Sequence, residues 1–84
     1  MSYRPWLDQE RVLRQMPGLP PEAFDLLVRL MARVCEDPYD RVISAPTGKD
    51  PRERMAELGE GGFITFIVDD DAGLIRVYDL VWTG

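Results

Sequence analysis

The spacing of apolar residues along the chain changes from helical to alternating about half-way, and that change predicts the elements. Val12, Leu13 and Met16 recur at three- and four-residue spacing, which predicts a helix over residues 9–16. Asp8 stands before it with a carboxylate able to accept from the free N–H groups of the first turn. Pro17-Gly18 ends it, since Pro cannot continue the ladder and Gly accepts the turn. Pro20-Pro21-Glu22 opens a second helix, where Pro fits a first helical position and Glu22 complements the positive helix end. Phe24, Leu27, Val28, Met31, Val34 and Cys35 form its apolar stripe, widened by Leu26 and Leu30. Asp25 with Arg29, and Arg33 with Asp37, are four-apart charge pairs on the polar side. Pro38 stops this helix. The two helices predict an αα-hairpin whose apolar faces need a cover.

Downstream the pattern shortens to alternation. Phe63 to Val68 is almost entirely β-branched or aromatic, and Leu74 to Trp82 follows as a second such run. Asp69-Asp70-Asp71-Ala72-Gly73 between them reads as a hairpin turn. Ile64, Phe66 and Val68 share one face of the first strand. Ile75, Val77 and Val81 share one face of the second, interrupted by Asp79, which is expected to pair with an arginine such as Arg54 or to lie beyond the core. Arg52 to Leu58 satisfies both a helix and a strand with Arg54, Ala56 and Leu58 on one side. Propensity does not separate the two. Tyr3 to Leu7 reads as a short edge strand tolerant of Pro5, or as a frayed arm. Asp37 to Arg54 is a polar connection in which Val42 and Ile43 are a brief extended piece. The expected fold class is α+β: an N-terminal αα-hairpin on one face of a small, mainly antiparallel sheet of three to four strands, with residues 1–84 as one domain.

Composition narrows the function classes. The 84 residues carry ten basic side chains, of which only Lys49 is a lysine, against fifteen acidic ones, giving a net charge of −5 and no histidine. An acidic chain lacks the positive footprint of a simple nucleic-acid binder, so direct nucleic-acid binding is not expected. Without histidine there is no imidazole base, metal ligand or pH switch. The single Cys35 forms no internal disulfide and lies in an apolar helical pattern, where a buried structural thiol is expected. The start of the chain has no apolar signal region and no run approaches the ~20 residues of a membrane span, so the cytoplasm is the expected location.

The order of elements, with "EDP" closing the αα-hairpin and then "FITFIVDDDAGLIRVYDLVW", resembles the RelE/ParE toxin superfamily. The resemblance implies two helices against one face of the sheet and an antitoxin whose tail wraps the domain. It also implies one of two activities. RelE-like members cut messenger RNA on the ribosome without a metal, using basic and aromatic side chains, and ParE-like members poison DNA gyrase by binding it. Arg52 and Arg54, with Lys49 just before them, fall where the nucleases carry basic residues on the second strand, and Arg76 and Tyr78 complete the reduced set. Phe63 stands where those enzymes often have an arginine. Val81-Trp82-Thr83-Gly84 replaces their basic, tyrosine-bearing end. An arginine stays protonated, so this set also lacks a group to take a 2′-hydroxyl proton.

The expected function is therefore a toxin-like component acting by protein binding, through an antitoxin and a gyrase-type target. The alternatives are a ribosome-dependent nuclease with a reduced basic site, or a non-toxic binding or homodimerising module. No cofactor and no metal is expected. The adjacent carboxylates of Asp69, Asp70 and Asp71 diverge in a turn rather than converging on an ion. Strict alternation puts Leu74, Arg76, Tyr78, Leu80 and Trp82 on a sheet face the helices cannot cover. Tyr78, Leu80 and Trp82, with Trp6, are then the expected partner contacts, because exposed aromatic surface marks interfaces; the alternative is that they close the core with Trp6 and the loop.

Overall fold

The computed structural model describes residues 2–7 and 9–84. The chain runs β1 (Arg4–Trp6), α1 (Glu10–Gln15), a single 3-10 turn (Met16–Gly18), α2 (Pro21–Glu36), β2 (Ser44–Pro46), β3 (Glu53–Leu58), β4 (Gly62–Asp69) and β5 (Leu74–Trp82). It is an α+β fold whose five-stranded sheet has the order β1-β5-β4-β3-β2. The strand count exceeds the expected three to four because both edges carry a three-residue strand. β1 pairs parallel to β5, with Arg4 opposite Leu74, and β2 pairs antiparallel to β3, with Ser44 opposite Ala56. Helix α1 is shorter than the predicted 9–16 because its last residues tighten into the 3-10 turn at Pro17. The expected cap at Asp8 lies outside the described residues.

Residues 52–58, ambiguous in sequence, form a strand from Glu53. Pairing to β4 along its whole length, Glu53 opposite Ile67 to Leu58 opposite Gly62, outweighs the helix propensity. Arg54, Ala56 and Leu58 are buried on the face toward the helices, as alternation from any one of them requires. The core lies between that face and α2. Ile64, Phe66 and Val68 from β4 and Ile75, Val77 and Leu80 from β5 meet Val12, Leu27, Met31 and Val34. A six-residue helix has little stability alone, so α1 is held by burying Val12 against the sheet.

Predicted details of α2 and of the loop after it differ. Phe24 and Val28, expected in the core stripe, remain 45% and 55% exposed, and Ala23 is buried instead. The extended piece expected at Val42 and Ile43 is a turn, in which the Ile43 and Ser44 N–H groups both donate to the Asp40 carbonyl at 3.1 and 3.0 Å. The strand starts only at Ser44. Of the two charge pairs on α2, Asp25 and Arg29 meet at 3.1 Å, and Arg33 and Asp37 form no ion pair among the described residues.

The largest departure is in β5. Thr65 pairs with Asp79 but Phe66 pairs with Val77, so Tyr78 is an extra residue and the strand bulges there. A bulge shifts the alternation by one residue. Ile75 and Val77 face the core before it, and Leu80 faces the core after it, with Trp82 packed against the same cluster. Val81, expected in the core, is only partly buried. Asp79 meets Arg11 of α1 at 3.6 Å and not Arg54.

Candidate functional site

The side of the sheet away from the helices is built from Glu53, Met55 and Glu57 of β3, Thr65 and Ile67 of β4, and Arg76 and Tyr78 of β5. Four of the five predicted catalytic candidates come near this face, and three of them, Arg52, Arg76 and Tyr78, are already engaged with a carboxylate. Arg76 donates to Asp69 at 3.1 Å. Arg52 approaches Asp50 at 3.5 Å, and its backbone N–H donates to the same carboxylate at 2.8 Å. The Tyr78 hydroxyl donates to Glu53. Lys49 sits in the exposed loop before β3 and contributes a favourable charge toward Glu53.

Arg54 is not part of that face. It is 7% exposed and points to the helix side, where Nε donates to Ser44 Oγ at 2.7 Å and a terminal nitrogen donates to the Ser44 carbonyl at 2.9 Å. Its guanidinium lies 5.6 Å from the centre of the Tyr39 ring. The Ser44 hydroxyl in turn donates to the Pro38 carbonyl at 2.7 Å. Arg54 is thus a tie between β3, β2 and the loop before it, and its charge is turned away from any ligand on the open sheet face.

Glu53 is the residue the sequence reading missed. It is buried at the start of β3 on the open face and accepts from both the Thr47 hydroxyl and the Tyr78 hydroxyl. These donors, Thr47 first, hold its carboxyl below the usual range, while burial and the bond to Glu53 push Tyr78 up to about 12. Once β3 is read as a strand with Arg54 inward, Glu53 must point outward with Met55, and that was the available signal.

The predicted partner contacts separate. Leu80 is fully buried and Trp82 packs on the core, so neither belongs to an exposed sheet face; the bulge at Tyr78 is the reason. Trp6 is exposed on the edge strand β1, beside Arg76 in the parallel register.

A second polar cluster lies at the β4–β5 turn. Asp70 accepts from the Tyr3 hydroxyl and, at 2.7 Å, from the Tyr39 hydroxyl. Asp69 accepts the Ala72 N–H at 3.0 Å beside its bond from Arg76, and Gly73 closes the turn at a φ of 67°. These carboxylates face protein donors in different directions. The bond from Tyr3, then that from Tyr39, lowers the Asp70 carboxyl, while burial first and Asp70 second push Tyr39 up to about 12. The Asp70 contribution is present above the unfolded carboxylate value and is lost as pH falls through the lower folded value. The Tyr39 contribution is present below the unfolded phenol value and is lost as pH rises from ~10 toward the folded value. Urea midpoints measured against pH are therefore expected to fall at both limits in the wild type. Tyr39→Phe makes the alkaline limb shallower and leaves the part that Tyr78 carries, and an unchanged alkaline limb would remove the role given to Tyr39.

No protein-family model and no curated protein matches the chain. Among solved structures it is similar to the free state of an arginine-to-alanine double mutant of the E. coli toxin RelE. That match has a TM-score of 0.80 and 21% identity over 95% of this chain and 82% of the other. It is also similar to the RelBE2 toxin–antitoxin complex from Mycobacterium tuberculosis, with a TM-score of 0.81 and 14% identity over 98% of this chain and 99% of the other. The chain has a RelE-like fold. The expected architecture and the resemblance read from the sequence agree with that fold, at a sequence divergence that leaves few side chains in common. Within the RelE-like fold, the open sheet face here holds the carboxylate of Glu53 and no cation free of a carboxylate on β3 to β5 among the described residues.

Proposed function

We propose that the chain is the toxin-like member of a toxin–antitoxin pair and works by protein–protein contact in the cytoplasm. The RelE-like fold supports the module, and the RelBE2 neighbour, itself a toxin–antitoxin complex, supports an antitoxin as partner. No helix among the described residues is long and apolar enough to cross a membrane.

The observation that carries binding over cleavage is Glu53. A phosphodiester approaching the open face meets a carboxylate held ionised by two hydroxyl donors. A carboxyl held low in this way is a weak proton acceptor, so Glu53 does not supply the missing base. Arg54, the cation a nuclease reading needs on this face, is spent on Ser44 behind the sheet. A gyrase-type target fits protein binding without any of these groups reacting.

Inducible expression in a bacterial host tests the reading. Growth arrest with intact translated messages, relieved by co-expressing the neighbouring open reading frame, is the expected result. Cleaved messages that become intact with Arg52→Ala and Arg76→Ala would replace it with the nuclease reading. Harmless expression of the folded protein would leave a non-toxic binding or homodimerising module.

A further inference from the structure

Asp79 is the residue of β5 that neither the core nor the open face explains. Four other aspartates, Asp37, Asp40, Asp50 and Asp69, accept a backbone N–H group, and each does so in a turn, from Tyr39, Val42, Arg52 and Ala72. Among the described residues Asp79 alone does so inside a strand. Its Oδ1 accepts the N–H of Leu80, the next residue, at 3.0 Å. Its Oδ2 lies 3.6 Å from the guanidinium of Arg11 on α1. One oxygen thus holds a backbone donor of the strand and the other is tethered from the helix.

The position of that N–H group gives the contact its meaning. β5 has β4 beside it from Leu74 to Trp82 on one side. On the other side β1 covers only Leu74, Ile75 and Arg76, and the chain then leaves the sheet for α1. From Val77 to Trp82 no strand lies on that side among the described residues. In an antiparallel ladder every second residue directs its N–H away from the neighbouring strand. Leu80 is such a residue, since its N–H goes to a carboxylate of its own strand and not to Ile64, its partner on β4. An outward N–H on a bare edge is where another chain adds a strand. Val81 and Trp82, next in line, are of the β-branched and aromatic kinds that strands favour. The bulge at Tyr78, one residue before Asp79, adds local twist, a second feature that keeps edges from pairing.

We infer that Asp79 closes the β5 edge to a second copy of this chain. Two copies of β5 placed antiparallel about Leu80 offer each other the same N–H and carbonyl groups, which is the self-complementary geometry of a two-fold pair. With the carboxylate in place, an incoming strand must displace it from the Leu80 N–H and bring two aspartates, one from each copy, to the same seam. Like charges across a strand pair are destabilising. Without the carboxylate the N–H is free to join a ladder. The role of Asp79 is independent of which partner the chain takes, and it leaves the other surfaces of the chain to make that contact.

Asp79→Ala and Asp79→Thr of the full chain test this, the second keeping a β-branched side chain in the strand. Circular dichroism and a urea midpoint check that each variant folds. Sedimentation equilibrium from micromolar to millimolar protein then reads association. Both variants are expected to self-associate roughly tenfold or more tightly than wild type, the scale of a backbone hydrogen bond gained by each copy. Amide hydrogen exchange locates the contact. Leu80 is expected to exchange slowly in dilute wild type, faster in the dilute variants, and slowly again, together with Trp82, in the associated variants. Folded variants that associate no more than wild type would overturn the inference. So would association that leaves Leu80 and Trp82 exchange unchanged. Fast exchange at Leu80 in dilute wild type would overturn it without any variant, because the carboxylate would then not hold the N–H.

Discussion

An Arg54→Ala variant is expected to lose about 2–4 kcal/mol of folding stability, the cost of leaving buried polar groups without partners. The Ser44 hydroxyl loses its donor from Nε, and the Ser44 carbonyl loses the second nitrogen. The contact over the Tyr39 ring goes as well, worth ~0.5–2 kcal/mol where partly desolvated. Small domains have about 5–10 kcal/mol in total, so a variant of this size shifts a urea midpoint strongly. Ser44→Ala removes the same hydroxyl from the other side. The double variant should therefore cost less than the sum of the singles, by ~1 kcal/mol. Strict additivity, measured by urea unfolding, would mean that the two side chains act independently. The result bears on function too. An inactive Arg54 variant that is also unfolded says nothing about catalysis, whereas Arg52→Ala and Arg76→Ala remove cations from the open face with little structural cost.

Leu80→Ala is expected to destabilise the fold by about 2–5 kcal/mol, and Val81→Ala by roughly 1 kcal/mol or less. Simple alternation from Ile75 and Val77 predicts the reverse order. The bulge decides between them. With Tyr78 as an extra residue, Leu80 enters the core at full burial and Val81 turns to the partly exposed face. Equal losses in the two variants, measured by thermal or urea unfolding, would show that β5 runs without the bulge. The bulge has a chemical consequence as well, because it is Tyr78, the extra residue, that reaches across to Glu53.

Those two residues show where sequence reading stops. The helix stripe through Leu27, Met31 and Val34 and the alternation of Ile64, Phe66 and Val68 were legible because their burial follows a fixed period. The period in β5 breaks at one residue, and its mark in the sequence is Asp79, a carboxylate at a position that strict alternation would bury. Ile75-x-Val77 and Leu80-x-Trp82 are both in register with the core, one residue out of phase with each other. Of the edge strands, β1 falls inside the edge strand read at Tyr3 to Leu7, and β2 escaped for a different reason. β2 has three residues, too few to show a period, and lies in a connection rich in Pro and polar residues. The candidate site suffered from both problems. Arg54 and Glu53 are neighbours in sequence, and only the choice of strand over helix at residues 53–58 sends one behind the sheet and the other to its open face.

The register of β1 against β5, with Arg4 beside Leu74, also dictates an order of events during synthesis. A ribosome makes β1, α1 and α2 long before it makes their cover. Until Leu74 to Trp82 has emerged, β1 has no ladder, and Val12 and the inner side of α2 lack Ile75, Val77 and Leu80. Tyr3 likewise waits for Asp70. Contacts this remote in sequence form late and together. Whatever the folded surface binds, it is therefore assembled in one step after β5 is free, and a partner already present at that moment meets the surface as it forms.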